Sequence, residues 1–365
     1  MDLATEPAGS RRDMFTIAGE RRGLLPLVIE KDFWVCWTLG RLFSLPRFSP
    51  YLLFKGGTSL SKVYGVIHRF SEDIDLSLSP VCLGLGLADP EQAASNTQRK
   101  QRADALVAAF QRTVTNDLLP ALRLDIAEQL GNAEQLGNAE RLGNAERLGD
   151  AERLGNEGWT LTQDQSDPGT LHFAYPQSTY FQAPAGGPPY IRPEVRIELG
   201  GRSDDWPAEN RTVMAYVAEE LPQITPAAVP VRVLAARRTF WEKATILHAE
   251  YHRPPDRSPG ERLSRHFSDL AQMAGTDIEA QALADVPLLA RVSAHKAAFY
   301  TASWASYETA SVGTLRLAPR PERVAGLRAD YRGMGQMFFG SSLTFEAMMK
   351  IIVALENRIN ALAKE

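Results

Sequence analysis

The chain has 365 residues, 44% of them hydrophobic, with a formal net charge of −4 and a pI near 6.0. That length predicts two domains. No apolar run approaches the roughly 18 residues of a membrane helix. The N-terminus, with Asp2, Glu6 and Arg11-Arg12-Asp13, lacks the basic-then-apolar layout of a secretory signal. Two cysteines, Cys36 and Cys82, exclude a disulfide framework and a cysteine-rich zinc site, so a reducing, cytoplasmic location is expected. The mild acidity advertises no nucleic-acid partner, although a local basic groove is compatible with an acidic total.

In chain order, residues 24–45 predict a helix, with Ile29, Phe33, Cys36, Trp37 and Leu42 at roughly helical spacing. Tyr51-Leu52-Leu53-Phe54 is a short apolar strand broken by Gly56-Gly57, and Thr58 to Tyr64 follow as a helix. Ile74, Leu76 and Leu78 alternate with Asp73, Asp75 and Ser77 as in a half-buried strand. A further helix is expected over residues 98–124.

From Glu128 the sequence repeats every six residues: EQLGNA twice, ERLGNA, ERLGDA, then ERLGNE. Six residues turn a helix by about 600°, so successive leucines fall on different faces and no apolar stripe forms. A glycine in each repeat also costs about 1 kcal/mol in a helix. A left-handed β-helix is disfavoured by Glu134, Glu140, Glu146 and Glu152, which occupy the position that should be small. Residues 128–157 are therefore expected to be an expanded insertion, loosely helical or flexible.

Strand patterning returns over residues 159–200, with a Pro/Gly-rich turn at 183–189. A linker follows near Pro222 to Pro230, and helices are expected at 235–252, 261–274, 280–308 and 342–364. The expected fold class is α+β, divided near residue 228 into domains of residues 1–227 and 228–365, the second all-helical.

Two features carry chemistry. Glycines between a strand and a helix let a phosphate approach the backbone and the free N–H groups of the helix start, although a plain tight turn is the commoner reason for a Gly-Gly pair. On a strand, Asp73 and Asp75 face the same side, and two carboxylates so close are costly without a cation between them. Phosphoryl-transfer enzymes hold divalent metals in this way. Glu198, in the alternating segment Glu194-Val-Arg-Ile-Glu198-Leu, is the candidate third carboxylate; its alternative role is an ion pair with Arg196 or Arg202.

The stretch FKGGTSLSKVYGVIHRFSEDIDLSLS (residues 54–79) resembles the signature of the AbiEii/AbiGii toxin family of nucleotidyltransferases, within the DNA polymerase β-like superfamily. Glu30-Lys31-Asp32-Phe33 resembles that family's leading helix motif, and PEVRIELGGRSDDWP its third-carboxylate strand. Arg238-Thr-Phe-Trp-Glu-Lys243 with Leu247-His248 resembles its lysine helix, and Arg262-Leu-Ser-Arg-His-Phe-Ser-Asp269-Leu its last motif. The resemblance implies a polymerase β-like nucleotidyltransferase domain followed by a helical domain, acting on a nucleoside triphosphate with Mg²⁺ or Mn²⁺. Relatives include toxins of toxin–antitoxin pairs, some of which modify tRNA ends. An RNA acceptor of the tRNA class, a cognate antitoxin and a role in phage defence are what that likeness leads one to expect.

The implied metal ligands are Asp73, Asp75 and Glu198, and the implied catalytic set adds Lys243 and Asp269. Triphosphate contacts fall to Lys55, Gly56, Gly57, Thr58, Ser59, Arg69, Ser71 and Lys243. Simpler alternatives stay open: an exposed helix lysine for Lys243, an i,i+4 pair with Arg265 for Asp269, neutralisation of Glu72 for Arg69, and surface decoration for Glu30 and Lys31. Between residues 232 and 265, eight Arg and Lys against four acids, interleaved with Trp241, His248, Tyr251 and His252, suggest a nucleic-acid surface. Transfer to a protein or small molecule, and a non-enzymatic nucleotide- or antitoxin-binding module, are the competing readings.

Overall fold

The structure is a computed structural model that describes residues 2–84, 89–131, 158–179, 192–202, 204, 206–222, 228–260, 262–300, 302, 304–338 and 342–364. Helices α1 (Ala8–Arg22) and α2 (Pro26–Ser44) lead into strand β1 (Leu52–Lys55) and the short helix α3 (Gly56–Lys62). Strand β2 (Asp73–Leu78) is followed by α4 (Asn96–Thr113) and α5 (Leu119–Leu130), joined through a π-helical turn at Val114–Leu118. Next come β3 (Thr160–Gln163), β4 (Thr170–Ala174), β5 (Glu194–Gly200), β6 (Ala208–Val213), α6 (Tyr216–Glu220) and β7 (Val229–Leu234). The remainder is helical: α7 (Ala236–His252), α8 (Ser264–Met273), α9 (Asp277–Leu283), α10 (Val286–Phe299), α11 (Val324–Gly333) and α12 (Phe345–Ala361).

The seven strands form one mixed sheet in the order β3-β4-β5-β2-β1-β7-β6. At its centre β1 pairs antiparallel with β2 and parallel with β7, and β2 pairs parallel with β5. Leu52, Leu53 and Phe54 are all fully buried, which accounts for the unbroken apolar run of β1 in the middle of the sheet. In β2 Ile74, Leu76 and Leu78 reach the hydrophobic core, as the alternation predicts, while Ser77, expected on the open face, is buried as well. A first core joins α2 to the sheet around Trp34, whose ring stacks on Tyr175 and meets Trp37 and Phe173 edge-on. A second core, with Phe240, Trp241, Leu270, Met273, Met348 and Ile352, gathers the later helices and draws in Leu60 and Ile67 from the segment before β2.

Several expectations are adjusted. β7 closes the sheet six residues past the expected boundary, because Val229–Leu234 pairs with both β1 and β6; the helical layer begins at Ala236. The helix expected over 280–308 breaks at Ala284-Asp285 and stops at Phe299, and α1, β6 and α11 were not anticipated. The first repeat residues, Glu128 to Leu130, finish α5. The rest of the insertion, the turn at 183–189 and residues 223–227 of the linker lie outside the described residues.

Candidate active site

The site is built where the two central strands meet the glycine turn. Asp75 lies opposite Lys55 on β1 and in register with Glu198 on β5, while Asp73 lies opposite Arg196. Because β2 and β5 run parallel, Asp73, Asp75 and Glu198 share one face of the sheet. Burial, then Glu72 and Asp75, raise the Asp73 carboxyl above its ordinary range. Glu198 is likewise raised, by burial and then by Asp75, against the opposing pull of Arg196. Like charges held half out of water favour protonation or a bound cation.

Gly56 adopts φ +78°, and a Cβ there would overlap the Asp75 carboxylate. A Cβ on Gly57 would lie 2.6 Å from Arg69 Nη2 and 3.0 Å from Ser71 Oγ. Both glycines are therefore fixed by close approach of the turn to the site's charged groups. The neighbouring hydroxyls point inward. Thr58 Oγ1 donates to the Asp73 carbonyl and Ser59 Oγ to the Gly56 carbonyl at 2.9 Å, with both residues fully buried. Of the expected triphosphate contacts, the Thr58 side chain ties the turn to β2, and that of Ser59 closes back on the turn itself. For Lys55 burial favours the neutral amine, but Asp75, then Glu242, Tyr300 and Glu198, outweigh it and raise the pKa.

Beside the turn lies a buried charge network. Asp269, on α8, accepts from Arg69 Nε at 2.7 Å and Nη2 at 2.9 Å, and Lys243 Nζ lies 2.7 Å from its second oxygen. Asp269 therefore pairs with Arg69 and Lys243 and not with Arg265, and Arg69 does not neutralise Glu72. Lys243 is buried in this pair, not exposed. Burial works against the Asp269 anion, but Arg69 and Lys243 overcome it and hold the carboxyl far below its usual range. The network joins the loop before β2 to α7 and α8, so it also anchors the helical layer against the sheet. Glu198 pairs with Arg196 at 2.8 Å, the simpler of its two expected roles, while keeping its register with Asp75.

Two neighbours of the site were not assigned a role from sequence. Lys31, in the segment that resembles the family's leading helix motif, forms a largely buried pair with Glu72 at 2.8 Å, not the surface decoration left open for it. Lys296, on α10, donates to the Glu242 carbonyl at 2.7 Å, and burial pushes its amine down to about 7. Neither carries a periodicity or spacing signal. The expected basic and aromatic surface over 232–265 does not form as such. Trp241 and His248 are buried, and Arg237, Arg238, Lys243 and Arg253 are each in ion pairs.

Asp73 and Asp75 offer carboxylate oxygens, the donors that Mg²⁺ and Mn²⁺ take. Among the described residues, no three Asp, Glu, His or Cys side chains are already drawn together as a ligand set. The pair fits a hard divalent cation. A separate cavity of about 300 Å³, lined by Tyr251, Arg262, Phe267, Arg320 and Leu327 among others, lies in the helical half. None of the carboxylates of the sheet face lines it. Among the described residues, no helix is long and apolar enough to cross a membrane.

No curated protein matches the chain. Among solved structures it is similar to MenT4, a nucleotidyltransferase toxin from Mycobacterium tuberculosis H37Rv. The two are 17% identical with a TM-score of 0.46, over 94% of this chain and 88% of that one. Residues 37–351 match the family described as nucleotidyl transferase AbiEii toxin, type IV TA system. The chain belongs to this AbiEii family and is a nucleotidyltransferase toxin of a type IV toxin–antitoxin system.

Proposed function

We propose that this toxin transfers a nucleoside monophosphate from a nucleoside triphosphate to a hydroxyl of an RNA acceptor, with tRNA as the RNA class and Mg²⁺ or Mn²⁺ as the resident cation. The observation that carries this reading is the register of Asp75 with Glu198 beside a glycine turn that admits no side chain. Asp73 and Asp75 hold the cation, which when bound neutralises and orients the triphosphate. The backbone at Gly56 and Gly57, with Lys55 and Ser71, receives the phosphates. The acceptor oxygen forms a bond to the α-phosphorus, the bond to pyrophosphate breaks, and the hydroxyl proton passes to Glu198, whose raised pKa suits a proton acceptor. Lys243 and Arg69, ordered by Asp269, stabilise charge building on the pyrophosphate leaving group.

An RNA acceptor is supported by the toxin family and by Arg265, whose charge acts on Glu198. Arg257, Arg262 and Arg265 carry no ion pair among the described residues. Such a reaction belongs in the cytoplasm, where triphosphates and tRNA are found. A cognate antitoxin would restrain it there, and growth arrest would serve phage defence.

The test incubates the protein with each α-phosphate-labelled triphosphate and cell extract, then separates RNA, protein and small molecules. The expected result is label in RNA from one triphosphate, lost with EDTA and with Asp75→Asn. Label in protein or a small molecule supports the alternative acceptors. No transfer from any of the triphosphates overturns the reading.

A further inference from the structure

Three consecutive charged residues on α2 are buried: Glu30, Lys31 and Asp32. Each holds a different piece of the site's surroundings. Glu30 accepts from the backbone N–H and hydroxyl of both Ser178 and Thr179. Asp32 pairs with Lys62 at 2.7 Å, at the end of the glycine-turn helix, and accepts from the Tyr216 N–H at 2.6 Å. Lys31 reaches Glu72 at 2.8 Å and donates to the Arg192 carbonyl at 2.9 Å, two residues before β5. The first two contacts fasten elements. The Lys31 contact differs because its partner is a carboxylate adjacent in sequence to Asp73.

Glu72 has only 12% of its side chain exposed and immediately precedes Asp73 at the start of β2. Unpaired, this carboxylate next to Asp73 in the chain would be free to compete as a ligand for any hard cation held by Asp73 and Asp75. Resting on the nucleotidyl-transfer reading above, we propose that Lys31 is a positioning residue: by holding Glu72 against α2 it keeps this carboxylate off the cation that Asp73 and Asp75 hold.

A merely structural lysine and a positioning lysine give opposite results in the full-length protein. In Lys31→Met, Glu72 gains freedom and the site gains an uncompensated negative charge. Mn²⁺ added alone, followed by the loss of its free electron paramagnetic resonance signal, should therefore bind at least as tightly as to wild type. Meanwhile kcat for nucleotidyl transfer should fall by more than tenfold, because the cation is held off its productive position. Lys31→Met with Glu72→Gln should recover kcat to within about threefold of wild type, a neutral amide being a poor ligand for a hard cation. Joint loss of Mn²⁺ affinity and kcat in Lys31→Met, or no recovery in the double variant, overturns the proposal. If Lys31→Met does not fold, Glu72→Gln alone decides. The proposal requires it to retain near-normal kcat, and a loss above tenfold would make Glu72 itself a ligand. Absence of transfer by the wild-type protein would count instead against the reaction assigned above.

Discussion

Asp269→Asn removes one negative charge from a buried site that holds two cations. In the wild type, Arg69 donates two hydrogen bonds to Asp269, at 2.7 and 2.9 Å, and Lys243 lies 2.7 Å away. All three side chains are at least nine-tenths buried, so water does not take over their partnership. An asparagine of the same shape still accepts one hydrogen bond but removes the counter-charge that Asp269 gives both cations. Breaking a buried pair in this manner costs about 3–5 kcal/mol. At roughly 2–4 °C per kcal/mol for a cooperative unit of some 150–250 residues, the melting temperature should drop by about 6–20 °C near pH 7.

The pH dependence has a defined sign. The folded carboxyl lies below its ordinary value because Arg69 and Lys243 outweigh burial. Its contribution is therefore complete above the unfolded aspartate value of about 3.9 and is lost as pH falls toward the lower folded value. Differential scanning calorimetry of wild type and Asp269→Asn should show a constant gap between about pH 8 and pH 5, narrowing only below about pH 4. A gap under about 2 °C near neutrality, less than 1 kcal/mol by the same conversion, would refute the idea that this network binds the helical layer to the sheet.

Other substitutions separate chemistry from folding. Asp73→Asn or Asp75→Asn should abolish transfer, measured with labelled triphosphate, while melting stays within a few degrees of wild type. Gly56→Ala meets both a φ of +78° and the Asp75 carboxylate, so transfer should be lost alongside a stability cost above the roughly 1–2 kcal/mol of the left-handed backbone alone. Lys243→Met removes a cation but leaves Asp269 paired with Arg69, so the protein should fold. Loss of about 3–4 kcal/mol of transition-state stabilisation would slow transfer by on the order of a hundred- to a thousand-fold and relieve growth arrest on induction. Replacing residues 132–157 with a short Gly/Ser linker should preserve melting temperature and transfer, and a cooperative loss of folding would contradict that expectation.

The sequence by itself determined the parts whose physics is local. Alternation of Ile74, Leu76 and Leu78 with Asp73 and Asp75 dictated a half-buried strand with both carboxylates on one face, and β2 follows that pattern except at Ser77, which is buried. The unbroken run Leu52-Leu53-Phe54 announced a strand inside the sheet, and the later helices were mostly legible from their periodicity. Pairing across long separations was not legible, because no periodicity links distant residues. Only the tertiary structure set Glu198 beside Asp75, brought β7 back to β1 beyond an apparent linker, and chose Arg69 and Lys243 over Arg265 for Asp269. The same holds for Glu30, Lys31 and Asp32. Their motif was legible, but not their burial, since a charged side chain is buried only when a partner meets it. Those partners, at residues 62, 72, 178, 179, 192 and 216, come from segments that only the folded chain assembles around α2.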